Sequence, residues 1–196
     1  MKFTILRLLK PSELGMFHEY RRQGKERAKQ RAINFDWDVV DTVFPSAEDQ
    51  DIIAINCRRL EDEHTVVEVA SWLKRQHRNW RFEGDCPTSP FYRFVDPGVL
   101  FAMVVDASTT PANASWVVVP ADHPARSSIL GHGESARLGK SAMIALYGDE
   151  GQHSQAVLSD HFPQLFKEVK AVSVTSYKEN DNNRNDDDAA PDPLGL

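Results

Sequence analysis

Two basic stretches carry the side chains best suited to chemistry in this sequence. The first runs His18-Glu19-Tyr20-Arg21-Arg22-Gln23-Gly24-Lys25-Glu26-Arg27-Ala28-Lys29-Gln30-Arg31, and the second Trp72-Leu73-Lys74-Arg75-Gln76-His77-Arg78-Asn79-Trp80-Arg81. Both interleave Arg and Lys with amides, histidine and aromatics, whereas a merely solvated face tends to alternate in sign. A guanidinium forks onto guanine, an amide onto adenine, and a lysine ammonium holds phosphate. The residues expected to meet nucleic acid are therefore His18, Tyr20, Arg21, Arg22, Gln23, Lys25, Arg27, Lys29 and Arg31 from the first stretch. From the second they are Lys74, Arg75, Gln76, His77, Arg78, Asn79 and Arg81. Arg21, Arg22, Arg75 and Arg78 are the expected groove contacts, with Lys25, Lys29, Lys74 and Arg81 on phosphate and Gln23, Gln76 and Asn79 as base readers. Arg75 and Arg78 are expected in a polar loop, free of core contacts.

Other motifs are weaker. Gly133 to Ser141 resembles a phosphate-binding loop, but five residues separate its glycines where that motif needs four. A glycine-rich linker entering a helix is expected instead. Asp160, Glu168 and Lys170 have the residue types of a two-carboxylate-plus-lysine Mg²⁺ nuclease. Asp160, however, is expected to start a helix rather than lie on a strand beside Glu168, so this minimal nuclease stands as the alternative reading. His18, His77, His123, His132, His153 and His161 are dispersed, without the order of a catalytic triad. Cys57 and Cys86 build no disulfide framework and no zinc spacing. No catalytic residue, metal or cofactor is expected.

The net charge of −6 over 196 residues is unevenly divided. Residues 1–35 carry +6, residues 69–82 carry +4, residues 178–196 carry −4, and the remainder −12. An acidic body thus bears two basic segments. If they share a face they attract a polyanion, because screening over about 8–10 Å lets local charge dominate. A hydrophobic fraction of 41% suffices for a sizeable core and excludes a wholly disordered chain. No apolar run reaches the about 18 residues of a membrane span. The opening Met1 to Lys10 is interrupted by Arg7 and has no small-residue cleavage site, so no secretory signal is expected and a reduced, cytoplasmic setting is the simplest reading.

These side chains need a scaffold, and strand signals supply it. Lys2–Leu9, Ala32–Asp36, Asp51–Asn56, His64–Ala70, Phe91–Val95, Val99–Val105 and Ser115–Val119 read as seven strands, rich in β-branched residues or alternating in polarity. Asp36 is expected to cap a short helix whose Trp37, Val40, Val43 and Phe44 face inward before Pro45. Leu138–Tyr147 and Ser159–Glu168 read as helices, Ala171–Tyr177 as a strand, and the Asn/Asp-rich residues from Lys178 onward as disordered. The class is mainly β (α+β): a barrel over 1–123, a small helical and strand extension over 124–177, and a tail over 178–196.

Leu6-Arg7-Leu8-Leu9-Lys10-Pro11-Ser12-Glu13-Leu14-Gly15 is a strand leading into a Gly-containing arm. His18, Ile33-Asn34-Phe35 and Val39-Val40-Asp41-Thr42-Val43-Phe44-Pro45-Ser46 follow. Then come Lys74 to Arg81, Gly98-Val99-Leu100-Phe101 and Ala114-Ser115-Trp116-Val117-Val118-Val119. In these residues, over roughly 3–122, the chain resembles the amino-terminal DNA-binding domain of EcoRII-type restriction endonucleases, a pseudobarrel also used by plant transcription factors. The resemblance implies a seven-stranded pseudobarrel whose two arms, here Pro11–Arg31 and Ser71–Glu83, clamp double-stranded DNA. The first arm is longer and more basic than the family's glycine-rich version. The roughly 70 residues beyond the match are too few for the family's catalytic domain. The expected protein is a sequence-recognising DNA-binding module of a restriction or antiviral defence system, possessing no catalysis of its own and working alone or beside other subunits. A rival reading makes it a protein-interaction subunit of such a complex.

Overall fold

A computed structural model describes residues 1–25, 29–45, 47–139 and 142–166. Eight strands lie among the described residues: β1 (Lys2–Leu8), β2 (Ile33–Phe35), β3 (Ile52–Leu60), β4 (Val66–Arg75), β5 (Trp80–Gly84), β6 (Leu100–Asp106), β7 (Ala112–Val119) and β8 (Met143–Leu146). They form one sheet in the order β2-β5-β4-β3-β7-β6-β1-β8, and only the β3–β7 pairing is parallel. The sheet curls into a nearly closed barrel. Alternation sets the faces: Phe3 and Ile5 of β1, Ile53 and Ile55 of β3, Leu73 of β4, Trp80 and Phe82 of β5, and Phe101 and Met103 of β6 point into one aromatic-rich core. Helix α2 (Trp37–Val43) covers an end of it with Val39, Val40 and Val43.

The opposite faces of β1, β6 and β7 are apolar too. Leu6, Leu100, Ala102, Val117 and Val119 pack under Ala125 and Ile129 of α3 (Pro124–Leu130) and Leu158 of α4 (Gly148–His161). A polar tie fixes the same layer, the Ser115 hydroxyl donating to the Leu165 carbonyl at 2.7 Å. The segment after β7 thus adds β8 to the sheet and buries the outer face of β1, β6 and β7.

Several elements differ from the sequence expectation. Pro90–Phe94 is a 3-10 turn instead of a strand, because Ser89 caps it, accepting from the Phe91 N–H, and Pro90 cannot donate to a ladder. Leu138–Tyr147 contains β8 instead of a helix; Met143–Leu146 finds an open partner in β1. β5 (Trp80–Gly84) is a further strand that was not expected, so the count among the described residues is eight, not seven. Helix α4 begins at Gly148 and ends at His161, earlier than Ser159–Glu168, and only a 3-10 turn at Pro163–Phe166 follows. Glu168 and Lys170, the strand expected at Ala171–Tyr177 and the expected tail all lie outside the described residues.

β2 and β8 are the two ends of the sheet, and they do not pair. Buried side chains bridge the gap. Arg7 projects inward from β1 and is 2% exposed, with its Nε 2.8 Å from Oε1 of the fully buried Glu13. That Nε–H makes no well-aligned hydrogen bond, so the contact is chiefly coulombic. The other Glu13 oxygen accepts the Lys10 N–H at 2.9 Å, and Oε1 also accepts the Asn34 N–H at 3.1 Å. Across the seam, Asp36 Oδ1 lies 3.4 Å from Arg7 and Oδ2 accepts the Met143 N–H at 3.2 Å. Asp36 stands at the start of α2 as expected, yet its carboxylate joins β8 to β2 and makes no capping bond.

Removing one member of a buried ion pair strands the other, at a cost of about 3–5 kcal/mol. Glu13→Ala should therefore lower unfolding stability by about that much, while Arg7→Met with Glu13→Leu should recover a large part of the loss. Denaturant unfolding of the wild type and the two variants measures this. A Glu13→Ala penalty below about 1 kcal/mol would mean that the pair does not hold the seam.

Candidate nucleic-acid interface

The second basic stretch is a β-hairpin rather than a polar loop. β4 continues to Arg75 and β5 begins at Trp80, leaving Gln76–Asn79 as the tip, closed by the Gln76 N–H on the Asn79 carbonyl at 2.9 Å. Alternation then sorts its side chains. Trp80 and Phe82 go into the core, whereas Lys74 and Arg81 face outward as direct cross-strand partners. On the other side of β5, Arg81 is the register partner of Asn34 in β2. Asn34, Arg81 and Lys74 thus form one outward row across three strands, spanning about 10 Å at the usual interstrand spacing.

Two like charges directly opposite each other destabilise a sheet pair. Here neither Lys74 nor Arg81 has an ion-pair partner among the described residues, and the Arg81 Nε–H is buried without an acceptor. The nearest acid on this face, Glu83, accepts the Trp72 indole N–H at 3.3 Å. His77 and Arg78 are exposed at the tip, with Gln76 and Asn79 half-buried beside them. Lys29 and Arg31 are exposed just before β2.

Arg75 behaves differently. Its guanidinium lies over the rings of Trp37 at 5.1 Å and Trp80 at 6.0 Å, and its backbone N–H donates to the Asp51 carbonyl at 2.8 Å. The expectation that Arg75 sits in a loop without core contact is therefore corrected: it clamps the hairpin base to α2.

The first stretch folds as α1 (His18–Arg22) and an irregular return to β2. The sequence placed its cations toward solvent; the structure ties several of them down. Tyr20 is buried against the barrel. Arg21 donates to the Gly15 carbonyl, Arg22 pairs with the buried Glu19 at 3.1 Å, and Lys25 pairs with Asp96 at 2.9 Å. His18 and Gln23 are exposed, and Arg27 lies outside the described residues. The His18 N–H donates to the Pro87 carbonyl, three residues beyond the end of β5. α1 and the hairpin tip accordingly lie toward opposite ends of β5, a strand about 13 Å long, with the Asn34–Arg81–Lys74 row between them.

Three outward residues escaped the sequence reading. Asn34 and Gln30 flank the turn into β2, and Arg93 shares Glu19 with Arg22 at 3.5 Å. The signal for Asn34 was present, since it is the polar residue between Ile33 and Phe35. Arg93 had none, because its segment read as a strand.

The rest of the described surface offers little chemistry. No group of three or more His, Cys, Asp or Glu among the described residues is placed to hold a metal ion. Burial pushes the Cys57 thiol up to about 12, so it is no nucleophile at neutral pH. Desolvation, and then the neighbouring His161, hold His123 below its usual value at the start of α3. Asp160 is exposed near the end of α4. A cavity of about 460 Å³ opens between the end of α2, the start of β3 and residues 107–112, and no charged side chain among the described residues lines it. No helix among the described residues is long and apolar enough to cross a membrane.

Arg75→Ala should cost about 1 kcal/mol of stability, the worth of a cation–π contact at a partly exposed site. Arg78→Ala should change stability by less than about 0.5 kcal/mol. Thermal unfolding of both variants checks the contrast, and equal effects would place Arg75 back among the free tip residues. No protein-family model matches the sequence, and no curated protein matches it.

Proposed function

We propose that the chain is a double-stranded DNA-binding module of a restriction or antiviral defence system, reading sequence through the outward face of β2, β5 and β4 and lacking a catalytic domain of its own. The observation that carries this reading is the row of Lys74 and Arg81 beside Asn34, its two cations without an ion-pair partner among the described residues. A fold that sets two cations face to face without a counterion gains when an anion settles over them. Exposed Lys29, Arg31, His77 and Arg78 extend the positive surface at either end. The row lies between α1 and the hairpin tip, so the two ends flank it while it faces the base edges.

The barrel-like sheet is compatible with the EcoRII-type pseudobarrel that the sequence resembles. On this proposal the cations divide by role. Lys74, Lys29, Arg31 and Arg78 hold phosphate, and Arg81 lies against the groove. Arg22 and Lys25, already paired to Glu19 and Asp96, contribute only after exchanging those partners.

Binding to a labelled duplex should depend steeply on salt. If about six to eight phosphates are neutralised, the slope of log K against log salt is roughly −5 to −7. Lys74→Ala should reduce the slope by about 1, whereas Arg137→Ala, exposed in the segment after α3, should leave it unchanged. A flat salt response, or absence of binding at low salt, would contradict the assignment.

A further inference from the structure

Gln30 and Asn34 form a fixed pair of amides at the edge strand of the barrel. Gln30 Nε2 donates to the Ala32 carbonyl and to Asn34 Oδ1, each at 3.0 Å. Those two bonds use both of its protons. An end-over-end flip would set the Gln30 oxygen against two acceptors, so the amide is held one way round. The Asn34 amide is held likewise, its oxygen toward Gln30. The backbone beneath is pinned as well, by the Asn34 N–H on Glu13 Oε1 and by the pairing of β2 with β5.

The capacity left over is specific. Gln30 Oε1 is an acceptor and Asn34 Nδ2 a donor, and neither has a partner among the described residues. Both side chains are half-exposed, next to Arg81 on the outward face. An acceptor beside a donor complements the major-groove edge of adenine, whose N6 amino group donates and whose N7 accepts. Guanine offers two acceptors there, cytosine a donor alone, and thymine an acceptor and a methyl group. Because both amide orientations are set before DNA arrives, little rotamer entropy is lost on contact.

We propose that the Gln30–Asn34 amide pair is a specificity determinant that reads one adenine in the major groove, through N6–H to Gln30 Oε1 and Asn34 Nδ2–H to N7. The inference rests on the DNA-binding reading and names what that face selects.

The test begins with selection of bound sequences from a random duplex pool, using the full chain. The wild-type motif should contain an adenine that is lost from the motifs of Asn34→Ala and Gln30→Ala. Replacing that adenine by 7-deazaadenine, which lacks the N7 acceptor, should weaken wild-type binding by about fivefold to a hundredfold and leave Asn34→Ala binding unchanged. The base analogue leaves the protein untouched, so it decides the question even if a variant folds poorly. Binding by wild type with no adenine in the motif, with no sequence preference, or with no response to the analogue would overturn this inference and leave the DNA-binding reading standing. An absence of any duplex binding by wild type would overturn both.

Discussion

Closing the sheet requires its two end strands, β2 and β8, to be held together without a ladder between them, and the buried Arg7 guanidinium organises that junction. It projects inward from β1 among apolar side chains, where an isolated charge would be untenable. Glu13 neutralises it from the arm and Asp36 from the start of α2. Each carboxylate then takes a backbone N–H, from Asn34 in one case and Met143 in the other. The side chains and main-chain groups so gathered come from β1, the first arm, β2, the turn into α2 and β8. The Glu13 oxygen that faces Arg7 also fixes the backbone of Asn34, so closure of the barrel and presentation of the outward row share one cause.

The same economy explains where the positive charge is available. Arg7 and Arg59 are buried, the latter donating to the Asp85 carbonyl and lying over Trp116. Arg75 is spent on the tryptophans at the hairpin base, and Arg21, Arg22 and Lys25 on the packing of α1. What remains on the described surface near β5 is Lys29, Arg31, Lys74, Arg78 and Arg81. The density of basic residues in the sequence overstates the free charge of the first stretch and describes the second more faithfully.

The barrel was largely legible in the sequence because its strands alternate or are rich in branched residues, and because turn residues such as those at Glu61–Glu63 and Asp96–Gly98 separate them. Errors fell where local pattern and tertiary context disagree. Phe91, Tyr92 and Phe94 look like a strand, yet they pack edge to face in a 3-10 turn that follows a proline. Met143–Leu146 is too short to declare its class until β1 offers it an edge. The strand period within Trp72–Arg81 was missed because charge dominates its composition, and that period is what separates Trp80 from Arg81. No spacing rule could reveal the Arg7 junction, whose hydrogen-bonded members lie up to 107 residues from each other.

The central claim is that the outward face of β2, β5 and β4 meets the DNA. Amide chemical-shift mapping of isotopically labelled full-length protein during titration with a duplex tests it most directly. Perturbations centred on Asn34, Lys74, Arg81 and the tip residues Gln76–Asn79, with α3, α4 and residues 107–112 silent, are the predicted result. Shifts concentrated on the helices or around the uncharged cavity, with the Asn34–Arg81–Lys74 row unmoved, would contradict the account.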